Sequence, residues 1–180
     1  MKLFIISDIH GSLYYLKKVM EIFEKENYDK LVILGDELYH GPRNPLPKDY
    51  SPKEVIEILN KYKDKIIAVR GNCDSEVDQM VLSYPIMSDY SMIYLGNKRV
   101  FLTHGHIYNI DNPLPMSEGD ILLYGHFHIP MIEKKGERYF FNPGSVSLPK
   151  NNSNHSFAIL DETKFQIKDL DENILMEINF

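Results

Sequence analysis

The chain has 180 residues, 43% of them hydrophobic and 26% charged, a composition typical of one ordinary globular domain. At this length folding buries roughly 70% of the surface the unfolded chain exposes, so stability calls for neither disulfides nor a structural metal; the single cysteine, Cys73, has no intrachain partner. With 20 Lys and Arg against 26 Asp and Glu the net charge is −6, which argues against holding a nucleic-acid polymer or an anionic membrane surface by phosphate neutralisation.

No repeat, low-complexity tract or linker divides the sequence, and residues 1–180 are expected to form a single domain. The apolar run Leu3 to Ile6 is too short for a signal or membrane segment, so the expected compartment is the cytoplasm. The first part alternates strand and helix patterns: Lys2 to Ser7, a helix from about Ser12, Lys30 to Leu34, a second helix, then Lys65 to Val69. In the first helix Leu13, Leu16, Met20 and Phe23 recur at three- and four-residue steps and predict one buried face. Ser51-Pro52-Lys53-Glu54 predicts a capping box at the start of the second helix, with Val55, Leu59 and Tyr62 as its buried stripe, and Ser75 to Asp78 starts a short third helix ending near Leu82.

After about Tyr90 strands and turns take over: Ser91 to Leu95, Arg99 to Thr103, Ile121 to Tyr124, Met131 to Lys134, Arg138 to Phe141, Phe157 to Asp161, Phe165 to Leu170 and Ile174 to Ile178. An α/β half joined to a β-rich half predicts a four-layer α/β/β/α sandwich of two mixed sheets flanked by helices. The alternative is a single doubly wound sheet.

Metal-capable side chains cluster directly after five apolar strands. The first ends in Asp8-Ile9-His10, the next in Gly35-Asp36, and the third in Gly71-Asn72-Cys73-Asp74. The last two end in His104-Gly105-His106 and Gly125-His126-Phe127-His128. Each cluster alone has an ordinary explanation: Asp8 and His10 suit a helix cap, Gly35-Asp36 and Gly71-Asn72 suit turns, and a lone histidine is commonly a hydrogen-bonded core residue. Caps and turns give no reason for the same chemistry to recur at five strand ends, whose carboxyl edges form the crevice of an open α/β sheet. Asp8, His10, Asp36, Asn72, His104, His126 and His128 are too many donors for one tetrahedral ion, and suit two divalent ions bridged by a carboxylate. Oxygen and nitrogen donors without thiolate favour manganese, iron, cobalt or zinc, and such a pair suits hydroxide attack on phosphorus.

These residues, in order and spacing, resemble the signature of the calcineurin-like metallophosphoesterases. The longer stretches Gly35 to Asn44, Val69 to Asp78 and Asn142-Pro143-Gly144-Ser145-Val146 resemble the small bacterial phosphodiesterases of the YfcE type, over nearly the whole chain but fading in the last twenty residues or so. The resemblance implies one ion held by Asp8, His10, Asp36 and His128 and another by Asp36, Asn72, His104 and His126, with Asp36 as the bridge. It also implies the four-layer sandwich, manganese as the usual activating metal (zinc, iron, cobalt and nickel being alternatives) and, as one assembly state, a homo-oligomer. The expected activity is hydrolysis of small-molecule phosphodiesters by a metal-bridging hydroxide. A phosphomonoesterase on the same scaffold is the first rival; a non-catalytic scaffold like the retromer subunit that shares this fold is the second.

Many members of the broader superfamily carry a histidine after the Gly-Asn pair, where this chain has Cys73. A thiol is a poor acid toward a leaving alkoxide near pH 7, so the expected substrates have low-pKa leaving groups unless His106 supplies the proton. Asp36, Asn72, Cys73 and His106 are thus the candidate catalytic residues, and Arg43 and Asn72 the candidate contacts to substrate phosphate. Tyr39, His40, Tyr108 and Phe127 are candidates for an aromatic wall, and Asn142 to Ser145 for a turn that buttresses the crevice.

Overall fold

Short runs of Leu, Ile, Phe and Val that can be buried on both faces become the inner strands of two sheets. The computed structural model describes residues 1–180. The chain runs β1 (Leu3–Ile6), α1 (Leu13–Lys25), β2 (Lys30–Ile33), α2 (Pro52–Lys61), β3 (Ile66–Ala68) and α3 (Glu76–Val81). It continues through β4 (Tyr90–Leu95), β5 (Lys98–Thr103), β6 (Ile121–Leu123), β7 (Pro130–Lys135), β8 (Arg138–Pro143), β9 (Ser156–Leu160), β10 (Lys164–Asp169) and β11 (Ile174–Asn179). One sheet has the order β11-β10-β9-β1-β2-β3 and the other β4-β5-β6-β8-β7.

The parallel pairings decide where the functional residues go. In the first sheet β1 runs parallel to β2 and β2 to β3; in the second β5 runs parallel to β6 and β6 to β8. The remaining pairings are antiparallel. Alternation along each strand sorts its side chains between layers. Leu3 and Ile5 face the second sheet, joining one apolar cluster with its Val100, Leu102, Leu123 and Phe141 and with Phe165 of their own sheet. Phe4 and Ile6 face the helices, against Leu16, Met20, Phe23, Val55 and Leu59. Phe141 and Phe165 stack across the gap between sheets, with ring centroids 4.2 Å apart and planes 7° from parallel. The outer side of the second sheet is covered by the turns between β5 and β6, which lay Leu114, Tyr108 and Ile110 on Phe101, Leu122 and Phe140.

The caps differ from expectation in two places. Ser12, not Asp8 or His10, caps α1 by accepting the Tyr15 N–H. The capping box expected at Ser51 does not form, because the Ser51 N–H is already donated to the Gly11 carbonyl and its hydroxyl turns to the Glu54 carboxylate. At α3 the Asp78 carboxylate does accept both the Ser75 N–H and its hydroxyl, 2.8 Å each.

Candidate metal centre

The loops that leave β1, β2, β3, β5 and β6 meet at one edge of the sandwich and are laced together by their backbones. Asp8 N–H donates to the Gly35 carbonyl, His10 N–H to the Asp36 carbonyl and Gly125 N–H to the His104 carbonyl. The two sheets are joined by His126 N–H, which donates to Asp8 Oδ2 at 3.1 Å. Asp8, His10, Asp36, His126 and His128 all adopt left-handed backbone angles, φ between 50° and 67°. For residues other than glycine this is costly backbone, tolerated where surrounding structure holds it, and such residues concentrate at functional sites. Close approach demands glycine beside them. A Cβ on Gly125 would lie 1.9 Å from Ser7 Oγ, and one on Gly71 would lie 2.0 Å from Asp36 Oδ1.

The structure brings all seven expected side chains together. His10 Nε2 lies 3.7 Å from both Asp8 Oδ1 and Asp36 Oδ2, and 3.4 Å from His128 Nε2. His128 Nε2 lies 3.3 Å from Asp8 Oδ1. On the other side His104 Nε2 sits 3.4 Å from Asp36 Oδ2, 3.1 Å from Asn72 Oδ1 and 3.3 Å from His126 Nδ1. Asp36 therefore stands between two groups, with His10 on one side and His104 on the other.

Backbone carbonyls set the histidine tautomers. Nδ1 of His10 faces the Tyr39 carbonyl at 2.8 Å, that of His104 the Leu34 carbonyl at 2.6 Å, and that of His128 the Leu148 carbonyl at 2.5 Å. A carbonyl only accepts, so each Nδ1 carries a proton, and each ring, once neutral as a metal ligand must be, turns an Nε2 lone pair inward. Lone pairs then face one another and face carboxylate oxygens. Asp8 Oδ1, fully buried in their midst, has no hydrogen-bond donor, whereas Asp8 Oδ2 accepts from Ser7 Oγ at 2.6 Å and from His126 N–H. A cation reconciles this arrangement, and the donor set fits divalent ions.

The electrostatics of the side chains point the same way. Burial works against ionising Asp8, but the adjacent His128 and the facing His104 and His10 hold its carboxyl well below the usual range. Asp36 is likewise lowered despite burial, through His104. His104 is raised to about 9 by Asp36, against its burial, while burial and His104 push His126 down to about 4. The cluster concentrates negative potential on the atoms from which a metal would take its ligands.

A cavity of about 480 Å³ opens over the cluster, lined by Asp36, Asn72, His126, His128, Cys73, Arg43, Phe127 and Lys150 among others. Arg43 and Asn72, the candidate phosphate contacts, both line this cavity. Cys73 places its thiol near His10 and Asp36, and its N–H donates to Asp36 Oδ1 at 2.8 Å. Burial and the Asp36 carboxylate push the thiol far up, which keeps it protonated and a weak acid. His106 packs 5.4 Å from the His104 ring and 6.2 Å from the His126 ring, outside the cavity wall. Of the four aromatic candidates only Phe127 lines this cavity. Tyr39 faces a neighbouring apolar groove, His40 packs on Tyr39 and Tyr50, and Tyr108 joins the turns over the second sheet.

Sequence reasoning assigned no role to Asp74, whose carboxylate accepts the N–H groups of Asp36, Glu37 and Gly71 at 2.9, 3.0 and 2.7 Å and so staples the β2 and β3 loops together. The turn after β8 supports the other side. Ser145 and Ser147 hydroxyls both donate to the Asp8 carbonyl, and the Asn142 amide donates to the Gly125 carbonyl at 2.7 Å.

Residues 1–164 match the model of the calcineurin-like phosphoesterase superfamily domain. Phosphodiesterase YfcE of Escherichia coli is 48% identical over 179 residues, covering 99% of this chain and 97% of that protein. The likeness therefore runs through the last strands, where sequence reading expected it to fade. The solved structure described as YfcE, a phosphoesterase from E. coli, superposes with a TM-score of 0.97 at 47% identity, covering 99% of this chain and 98% of that one. Vacuolar protein sorting 29 from Cryptosporidium parvum superposes with a TM-score of 0.66 at 19% identity, over 99% of this chain and 97% of that one, a likeness of fold alone.

Proposed function

This chain belongs to the calcineurin-like phosphoesterase superfamily, and from that premise we propose a manganese-dependent phosphodiesterase whose seven clustered side chains hold two divalent ions. The observation that carries the reading is the buried Asp8 Oδ1, without a donor and faced by imidazole nitrogens of His10 and His128. In this assignment Asp8, His10, Asp36 and His128 hold one ion and Asp36, Asn72, His104 and His126 the other. When bound, such a pair supplies Lewis acidity toward phosphoryl oxygens and a lowered pKa for an attacking water. Manganese suits the oxygen-rich and imidazole donors; zinc, iron, cobalt and nickel suit them as well and are separated by reconstitution.

The chain's own residues orient the substrate. Arg43 reaches the cavity from the loop after β2 and can pair with a nonbridging phosphate oxygen, and the Asn72 amide stands at the same wall. Phe127 offers a face to an aryl or base ester group. Leaving-group protonation is the weak step. The Cys73 thiol is held protonated by burial and by Asp36, and His106 lies outside the cavity wall, so the enzyme favours leaving groups stable as anions or protonated by solvent.

No helix is long and apolar enough to cross a membrane. With a net charge of −6 the chain suits small-molecule diesters better than a nucleic-acid polymer, and a cytoplasmic, homo-oligomeric enzyme is the form we propose.

The test is hydrolysis of bis(p-nitrophenyl) phosphate and p-nitrophenyl phosphate by chelator-stripped protein, with and without manganese. Manganese-dependent turnover favouring the diester is expected. Preference for the monoester would establish a phosphatase instead, and no turnover with any divalent metal would leave a scaffold.

A further inference from the structure

Two basic side chains in the cavity wall are neutralised by no protein group. Arg43 comes from the loop after β2 and Lys150 from the turn after β8, and both line the cavity over the ligand cluster. The lysine and arginine side chains that form ion pairs are others, namely Lys2, Lys25, Arg70, Arg99, Lys134 and Lys135. Asp36 is the one carboxylate in the wall, and its oxygens are engaged by the Cys73 N–H and His104. A chain with six excess acidic residues therefore keeps the mouth of this cavity free of acidic neighbours that would quench the two cations.

Both stems rise from pinned backbone. Lys150 N–H donates to the carbonyl of His128 at 3.1 Å, and the Lys150 carbonyl accepts from the Ser153 N–H at 3.0 Å and its hydroxyl at 2.7 Å. The Arg43 loop is closed by Asn44, whose amide donates to the His40 carbonyl at 2.9 Å. Lys150 is thus tied directly to a candidate ligand residue, and its reach is referred to the reacting centre.

A phosphodiester carries one negative charge, which the centre and Arg43 suffice to meet. A second free cation at the same mouth calls for a second anion. Resting on the phosphodiesterase reading above, we propose that Lys150 is a specificity residue that binds a further anionic group, a carboxylate or second phosphoryl group, on an ester arm of the substrate. The substrate class is then phosphodiesters that carry at least one negative charge beyond the scissile group. Neither the metal ligands nor the fold requires Lys150 for such binding, and its contribution appears in affinity.

The experiment measures competitive inhibition of bis(p-nitrophenyl) phosphate turnover by three symmetric diesters: diphenyl phosphate, bis(3-carboxyphenyl) phosphate and bis(3-phosphonophenyl) phosphate. Symmetry removes the question of which arm faces Lys150. At least one charged analogue is expected to bind about fivefold more tightly than diphenyl phosphate, the scale of one exposed ion pair; whichever wins identifies the anion, and the preference shrinks as salt is raised. Lys150→Gln should bring the preference close to unity and Lys150→Arg should retain it. Equal inhibition by all three in the wild type, or a preference that survives Lys150→Gln, overturns the proposal while leaving the phosphodiesterase intact. Absence of turnover with any divalent metal would instead overturn the phosphodiesterase reading, and calorimetric binding of the same three compounds to manganese-loaded protein still decides on Lys150.

Discussion

At the scale of single residues, the centre depends on atoms that must face a cation because nothing else satisfies them. Asp36 is central, with Oδ2 shared between His10 and His104 and Oδ1 held by the Cys73 N–H. Asp36→Asn keeps the shape but removes the charge between the two ligand groups. It should lower manganese content below two ions per chain and cut diester turnover by about a hundredfold or more, since even partners outside the ligand set are worth that much in metal sites. Full metal content with full activity would remove Asp36 from the bridging position. Gly125 is required for a different reason, the Ser7 hydroxyl 1.9 Å from where its Cβ would stand. Gly125→Ala should destabilise the fold by about 2 kcal/mol through overpacking and displace Asp8, to which Ser7 donates. Denaturant melts with and without manganese measure both effects, and an unchanged midpoint would show that the loop yields freely.

Between elements, hydrogen bonds from side chains to backbone do the aligning. Asp74 joins the β2 and β3 loops through three N–H groups, and the turn after β8 carries Ser145 and Ser147 to the Asp8 carbonyl. The loop before β9 is tied to α1 by His155, whose ring stacks on Tyr15 at 3.9 Å and whose Nδ1–H donates to the Val146 carbonyl. Burial lowers the His155 pKa below its ordinary 6.5, only partly offset by that carbonyl. A base lowered on folding takes up its proton first in the unfolded chain, so its contribution to stability is fully present above 6.5 and is lost as pH falls through the folded value. Relative to a His155→Gln variant, the wild type should therefore lose stability on acidification below that point, as read by urea titration at a series of pH values. A constant difference between the two would show that His155 titrates alike in both states.

For the whole molecule, the centre is also a clamp between the sheets. Asp8, His10, Asp36 and Asn72 follow strands of one sheet, while His104, His126 and His128 follow strands of the other, and the shared core between them is apolar. Ions that bind only when both sheets are in place stabilise the native state by mass action, by about 2.7 kcal/mol at a hundredfold excess over Kd. For a chain of 180 residues that corresponds to a rise in Tm of about 8 °C. Calorimetric scans of chelator-stripped protein against increasing manganese test this, and a Tm indifferent to metal would mean that the ligands do not span the sheet interface.

Much of this was legible in the chain itself. The buried face of α1, the strands of both halves and the five polar clusters follow from apolar periodicity and from residue types placed at strand ends, and these are local properties of sequence. The seven side chains could be nominated because parallel strands deliver their carboxyl ends to one edge, whatever the loops then do. The tertiary structure alone decided the rest. Left-handed backbone at Asp8, His10, Asp36, His126 and His128 is tolerated by Asp and His, but which of them adopt it is imposed by neighbouring loops and not by residue type. The carbonyls of Tyr39, Leu34 and Leu148 that set the histidine tautomers are backbone groups which every residue possesses, and Glu54 lost its capping role because Gly11, distant in sequence, took the Ser51 N–H. Lys150 reads in sequence as one more solvated lysine. Only the turn that binds its backbone to His128 carries it to the cavity, because contacts between residues far apart in the chain arise from packing, which no local pattern encodes.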